Sequence, residues 1–167
     1  MSEPIEYPAL FLKRGEDKRL REGHLWVFSN EVDVARSPLT EFEPGEIAAI
    51  LDHAGKPIGI GYVNPASLIA ARLVVRGVAH GLDRSLIVHR LNVALALRER
   101  LYAEPYYRLV FGESDGLPGL TLDRFGDVIV GQTTTAGMEQ LKDAVAEAIV
   151  KVLKPRQLWW KNDASIR

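Results

Sequence analysis

Residues 13–30 read KRGEDKRLREGHLWVFSN. Lys13, Arg14, Lys18, Arg19 and Arg21 crowd together, Gly23 breaks the run, and His24, Trp26 and Phe28 follow at alternating positions. The charged part, residues 15–22, has room for one or two helical turns, and residues 25–28 alternate as a strand does. Two uses fit the cations. They can hold phosphates while neighbouring aromatics stack on bases, or they can form a solvated face with local pairs such as Glu16 with Lys13 or Arg19. At a period of two, Trp26 and Phe28 are expected in a β core rather than on a base. His24 has no carboxylate or second histidine at a spacing suited to metal binding or proton transfer.

The surrounding sequence continues in short strands. Residues 9–13 form a brief apolar run. Residues 46–51 and 57–63 flank the connection DHAGK, a hairpin with a glycine available for positive φ. Asn64 and Pro65 interrupt the chain, and residues 68–75 read as another strand. Strands at this spacing predict a small β-barrel. Within it, Gly59-Ile60-Gly61 lacks the third glycine and the following helix of a dinucleotide fingerprint, so its glycines are expected to relieve crowding or form a bulge.

The periodicity changes after Gly77. Ile87, Leu91, Ala94, Leu95 and Leu101 recur at helical spacing over residues 83–102, with Asp83 as the cap and Pro105 as the stop. Strands follow at residues 108–111, 120–123 and 128–132. A second helix is expected over residues 136–153, striped by Met138, Leu141, Val145, Ile149 and Val152, and a last strand over 158–160. The fold class is therefore mixed α/β, with a barrel over residues 1–77 and an α+β domain of order helix-β-β-β-helix-β over 78–167. A final strand with one edge left unpaired is a hint that the domain is truncated at its C-terminal end. If Trp159 and Trp160 are exposed there, that edge could pair two copies.

Charge and composition narrow the options. The chain has 167 residues, a net charge of −1 and a hydrophobic fraction of 47%, so a core can form and any polyanion site must be a local patch. Glu31, Asp33, Glu41, Glu43 and Glu46 crowd the segment after the basic run. There is no cysteine, which excludes disulfides, thiolate metal sites and a cysteine nucleophile in this chain. Residues 1–8 lack the pattern of a signal peptide and no apolar run is long enough for a membrane span, so a cytoplasmic protein without a membrane partner is expected. Residues 112–127, GESDGLPGLTLDRFGD, gather Glu113, Asp115 and Asp123 beside Ser114. A metal or acid-base site could use them, but Asp-Gly and Pro-Gly are turn dipeptides first.

Three stretches carry a family resemblance: KRGEDKRLREGHLWVFSNEV, NPASLIAARL at 64–73 and RLVFGESDGLPGLTLDRFGD at 108–127. Together they resemble the S-adenosylmethionine-dependent methyltransferases that make 5-methylcytosine in large-subunit ribosomal RNA. The resemblance implies an N-terminal PUA domain, which is a small RNA-binding barrel, then a middle α+β domain, then a Rossmann-like catalytic domain. It covers nearly the whole chain but stops short of the catalytic domain. In this family a thiolate adds to carbon 6 of cytosine to activate carbon 5, and this chain has neither that cysteine nor a cofactor motif. No catalytic, cofactor-binding or metal residue carries over. The resemblance implies ribosomal RNA and the missing methyltransferase domain as partners, and S-adenosylmethionine as cofactor of the full-length family only. It implies RNA contacts at Lys13, Arg14, Lys18, Arg19, Arg21, Gly23 and His24, with Arg72 and Arg76 as weaker candidates. The expected function is an RNA-positioning fragment, inactive alone. The alternative is a naturally short, stand-alone PUA-type RNA-binding module.

Overall fold

The computed structural model describes residues 7–161, so most of the 1–8 stretch read above lies outside the described residues. The chain divides into two compact units, Met1–Leu82 and Asp83–Arg167.

The first unit contains β1 (Ala9–Phe11), α1 (Lys18–Arg21), β2 (Trp26–Phe28), β3 (Ile47–Leu51), β4 (Pro57–Val63) and β5 (Ile69–Arg76). The strands lie in the order β1-β3-β4-β5-β2, with β1 parallel to β3 and the other pairs antiparallel. The two edges of this sheet meet just beyond the named strands. Leu12 bridges Val32, and the Lys13 and Asp33 N–H groups donate to the Glu31 and Phe11 carbonyls, both at 2.9 Å. That contact curls the sheet around Leu10, Leu12, Leu20, Val27, Val32, Ile50 and Leu73, each no more than 1% exposed. The glycines at 59 and 61 do relieve crowding. A Cβ at Gly59 would stand 2.1 Å from the Val75 carbonyl, and one at Gly61 would stand 2.1 Å from that of Arg72. The β4–β5 register shifts between Ile60 and Gly61, where the strands press together.

The second unit runs α2 (Arg84–Leu101), β6 (Tyr106–Phe111), β7 (Leu120–Phe125), β8 (Val128–Thr133), α3 (Ala136–Gln140), α4 (Lys142–Leu153) and β9 (Gln157–Trp160). Its sheet has the order β6-β7-β8-β9, antiparallel except for the parallel pair β8–β9. Parallel pairing demands a crossover, which α3 and α4 supply. Asp83 caps α2 by accepting from the Leu86 N–H at 3.0 Å. Ile87, Leu91 and Ala94 of α2 and Val145, Ala148 and Ile149 of α4 pack with Leu109, Leu120, Leu122 and Ile129. Trp160 is drawn into this core against Gly131, where a Cβ would lie 2.6 Å from the indole. Trp159 faces the other way and is exposed, as are Tyr106, Phe111 and Phe125.

Two expectations need correction. The helix over 136–153 is broken at Leu141, whose backbone (φ −87°, ψ 1°) leaves the α-helical range. Gly137 weakens the first turn, and the Glu139 carboxylate is tied to the Thr133 hydroxyl, fixing α3 against β8. Trp26 is not in the barrel core. Val27 takes the inward position at 0% exposure, so strand alternation turns Trp26 outward at 41%.

Lys154 ends α4 in the left-handed region at φ 45°, a conformation that costs a side chain about 1 kcal/mol relative to glycine. Lys154→Gly is expected to raise the melting temperature of the chain, read by circular dichroism, while Lys154→Ala does not.

Candidate nucleic-acid interface

The basic segment is held by few contacts, each chemically distinct. Leu20 is the only buried residue of α1 and anchors it to the barrel. Gly23, at φ +118°, turns the chain out of the helix, and the His24 N–H closes on the Arg19 carbonyl at 3.0 Å. Arg76 of β5 reaches the same end, donating to the Leu20 carbonyl at 2.7 Å. That guanidinium caps a helix terminus.

The remaining cations divide into two groups. Arg19 belongs to the fold. It pairs at 3.0 Å with Glu31, a nearly buried carboxylate that also accepts the Phe28 N–H at 2.8 Å, and it lies 5.1 Å from the Phe28 ring centroid. Arg21 is exposed but paired with Asp17 at 2.7 Å and Asp52 at 2.8 Å. Lys13 is exposed and donates to the Asn30 carbonyl at 2.8 Å. The Lys18 side chain is exposed and makes no hydrogen bond or ion pair among the described residues. Arg14 is exposed and meets only the His53 ring, at 3.5 Å. Arg72 is half-buried on β5, in register with Trp26 on one side and Tyr62 on the other. Neither of the local pairs with Glu16 forms; Lys13 and Arg19 find their partners further along the chain.

The β3–β4 connection, which spacing did not single out as a site, belongs beside this segment. Arg21 reaches Asp52, and Arg14 reaches His53. The Asp52 carboxyl is held below the usual carboxylate value by the Lys56 N–H (2.8 Å), then by the Ala54 N–H (2.9 Å) and Arg21. No local sequence signal marks the link.

The acidic stretch of the second unit is structural. Asp115 takes Arg98 of α2 in a two-point pair (2.5 and 2.8 Å) and also accepts the Phe111 N–H at 2.7 Å. Both side chains are largely buried. Asp123 pairs with Arg108 across β6 and β7 at 2.8 Å. Among the described residues no three His, Asp or Glu side chains are placed to share a metal ion. Gly59 and Gly61 cannot cradle S-adenosylmethionine, because β5 backbone occupies the space their missing side chains leave. That glycine pair therefore does not fit the cofactor.

What the geometry defines is a small curled barrel with a basic, aromatic-edged surface. A family model for a PUA-like domain matches residues 10–76, almost the whole of this barrel, so the fold is mixed α/β with a PUA-like domain. Over both units the chain is similar to proteins named ribosomal RNA large subunit methyltransferase I. It is 36% identical over 162 residues to that of Aliivibrio fischeri strain MJ11, and 36% over 165 residues to that of Salmonella gallinarum. These alignments cover 95% and 97% of this chain and 40% of each relative, so the chain spans about two fifths of their length. A structure described as a candidate SAM-dependent methyltransferase from Streptococcus mutans matches with TM-score 0.74 over 89% of this chain and 38% of its own, at 16% identity. A second candidate methyltransferase, solved with SAH, matches with TM-score 0.75 over 91% and 40%, at 15% identity. At such identities these two speak for the fold alone. No helix among the described residues is long and apolar enough to cross a membrane.

Arg19→Ala strands the Glu31 carboxylate and is expected to cost about 1–2 kcal/mol, with partial rescue by Arg19→Lys. Lys18→Ala should leave the melting temperature unchanged, and equal losses in the two variants would contradict this division of labour. For Asp52, a depressed carboxyl stabilises the fold above its unfolded value and loses that contribution as pH falls through the folded one. The stability gap between parent and Asp52→Ala should therefore hold above about pH 5 and close below about pH 4. Melts across that range measure it, and a gap independent of pH would overturn the assignment.

Proposed function

We propose that this chain is the RNA-positioning part of an S-adenosylmethionine-dependent enzyme that methylates carbon 5 of a cytosine in large-subunit ribosomal RNA. The observation that carries the reading is the similarity, across both units, to proteins named for ribosomal RNA methylation. The exposed cations of the first unit support it, since a net charge of −1 leaves only a local patch to meet a polyanion.

In this reading Lys13, Arg14, Lys18 and Arg21 face phosphates beside the Gly23–His24 turn, and Trp26 offers a stacking surface. Arg19, Arg72 and Arg76 brace that surface. Phosphate contacts set the position of the RNA, and the choice of nucleotide falls to RNA shape and to a catalytic domain. The methylation needs a thiolate at carbon 6 of cytosine, and a chain without cysteine cannot supply one. The nucleophile and the cofactor cradle therefore belong to a methyltransferase domain that partners these two units in the cytoplasm. The second unit supports that domain.

The full 167-residue chain is expected to bind a fluorescein-labelled stem-loop of large-subunit ribosomal RNA, with affinity falling as salt rises. Lys18→Ala should weaken binding several-fold. The chain should transfer no radiolabelled methyl group from S-adenosylmethionine to that RNA. Absence of RNA binding at low salt, or methyl transfer by the chain alone, would refute the proposal.

A further inference from the structure

Arg19 and Arg21 of the first unit are each neutralised by a carboxylate. Arg14 and Arg36 are not. Arg14, in the loop after β1, and Arg36, after β2, both converge on His53 of the β3–β4 connection. Arg14 Nη2 lies 3.5 Å from His53 Nε2, and Arg36 Nη1 donates to the His53 carbonyl at 2.8 Å. Neither guanidinium meets a carboxylate among the described residues. The nearest acid on the connection, Asp52, is committed to Arg21 and to the N–H groups of Ala54 and Lys56. Two exposed positive groups are thus gathered at one residue, Arg14 at the His53 ring and Arg36 at the His53 carbonyl, with no carboxylate paired to either.

Arg36 is also held ready. Its guanidinium carbon lies 3.6 Å from the centroid of the Phe11 ring, close enough to stack on it. The backbone beneath it is pinned to β1 through the neighbouring Ser37, which is buried. The Ser37 hydroxyl accepts the Phe11 N–H at 3.0 Å and donates to the Ala9 carbonyl at 2.9 Å. Gly55, at φ +86°, brings the connection over the same ring, where a Cβ would lie 3.9 Å from Phe11. With one N–H used on His53, the remaining donors of Arg36 are presented in a fixed plane. A fixed guanidinium fork matches two oxygens of one phosphate.

We propose that Arg14, Arg36 and His53 form a phosphodiester-binding subsite for RNA, which extends the basic surface from Arg14 onto the hairpin side of the barrel and is completed by the ligand's negative charge. The proposal rests on the RNA-binding reading above and locates the strongest phosphate grip on the hairpin side of the barrel. Arg36 holds the phosphate by its fork, Arg14 adds the second charge, and His53 spaces the two.

The test uses the full chain and the same labelled stem-loop, titrated at several salt concentrations. Arg14→Gln with Arg36→Gln should weaken binding about ten-fold or more and flatten the slope of log affinity against log salt by about 1.5, the loss of two phosphate contacts. Arg36→Lys keeps the charge but not the fork, and should fall between parent and Arg36→Gln. If Arg36→Gln lowers the melting temperature, Arg14→Gln alone decides, because Arg14 touches only the His53 ring. Its slope should still fall by close to one contact. Parent-like affinity and slope in these variants, with the parent chain binding RNA, would overturn the subsite and leave the broader reading standing. Failure of the parent chain to bind the RNA would overturn both.

Discussion

A helix of four residues cannot sustain itself, since it closes barely one turn before its free carbonyls begin. The basic surface of the first unit depends on supplying from outside what α1 lacks. Leu20 gives it an apolar foot in the barrel, Arg76 caps its last carbonyls, and Arg19 ties its flank to the nearly buried Glu31. These contacts come from β5 and from the segment after β2, so the position of Lys18 and the Gly23–His24 turn is a property of the closed barrel. Closure in turn relies on the bridge between Leu12 and Val32, which joins the sheet edges beside the same segment.

The second unit solves a comparable problem with one ion pair. Residues 112–119 make tight turns and offer few apolar side chains, so they cannot hold themselves to the core by burial alone. Asp115 and Arg98 add the hold, linking the turn after β6 to the last turn of α2 through two charge-assisted bonds, with the Phe111 N–H as a third contact to the carboxylate. Removing either partner would leave the other charge largely desolvated. Carboxylates that look available in sequence are engaged in the folded chain.

Local patterns carried the architecture well. The period change after Gly77, the Asp83 cap and the turn dipeptides mark elements that form where expected, and the run helix-β-β-β-helix-β appears with its second helix split in two. The single long helix over 136–153 was misread because a hydrophobic stripe does not report a one-residue break at Leu141. The orientation of Trp26 was misread because alternation fixes which residues share a face but not which face is inward; Val27 claims the core. Among the cations, exposure and pairing could not be read at all. Arg19 and Lys18 are neighbours with the same charge, yet one serves Glu31 and the other faces solvent, and the deciding partner lies twelve residues away from Arg19. The link between Arg14 and His53 spans 39 residues and leaves no local trace.

The pairing of the barrel strands also sets the order in which the unit can be assembled. β1 waits for β3, and β2 waits for β5, so neither early strand has a ladder partner until much later chain exists. Contacts that distant raise the entropic cost of the folding nucleus and slow its formation. The carbonyl cap on α1 comes from a residue 56 positions downstream. As the chain is synthesised, the basic segment emerges well before the β5 residue that caps α1. A polypeptide that ends before Arg76 would carry the same five cations on an unanchored strip, able to meet polyanions by charge but not by shape.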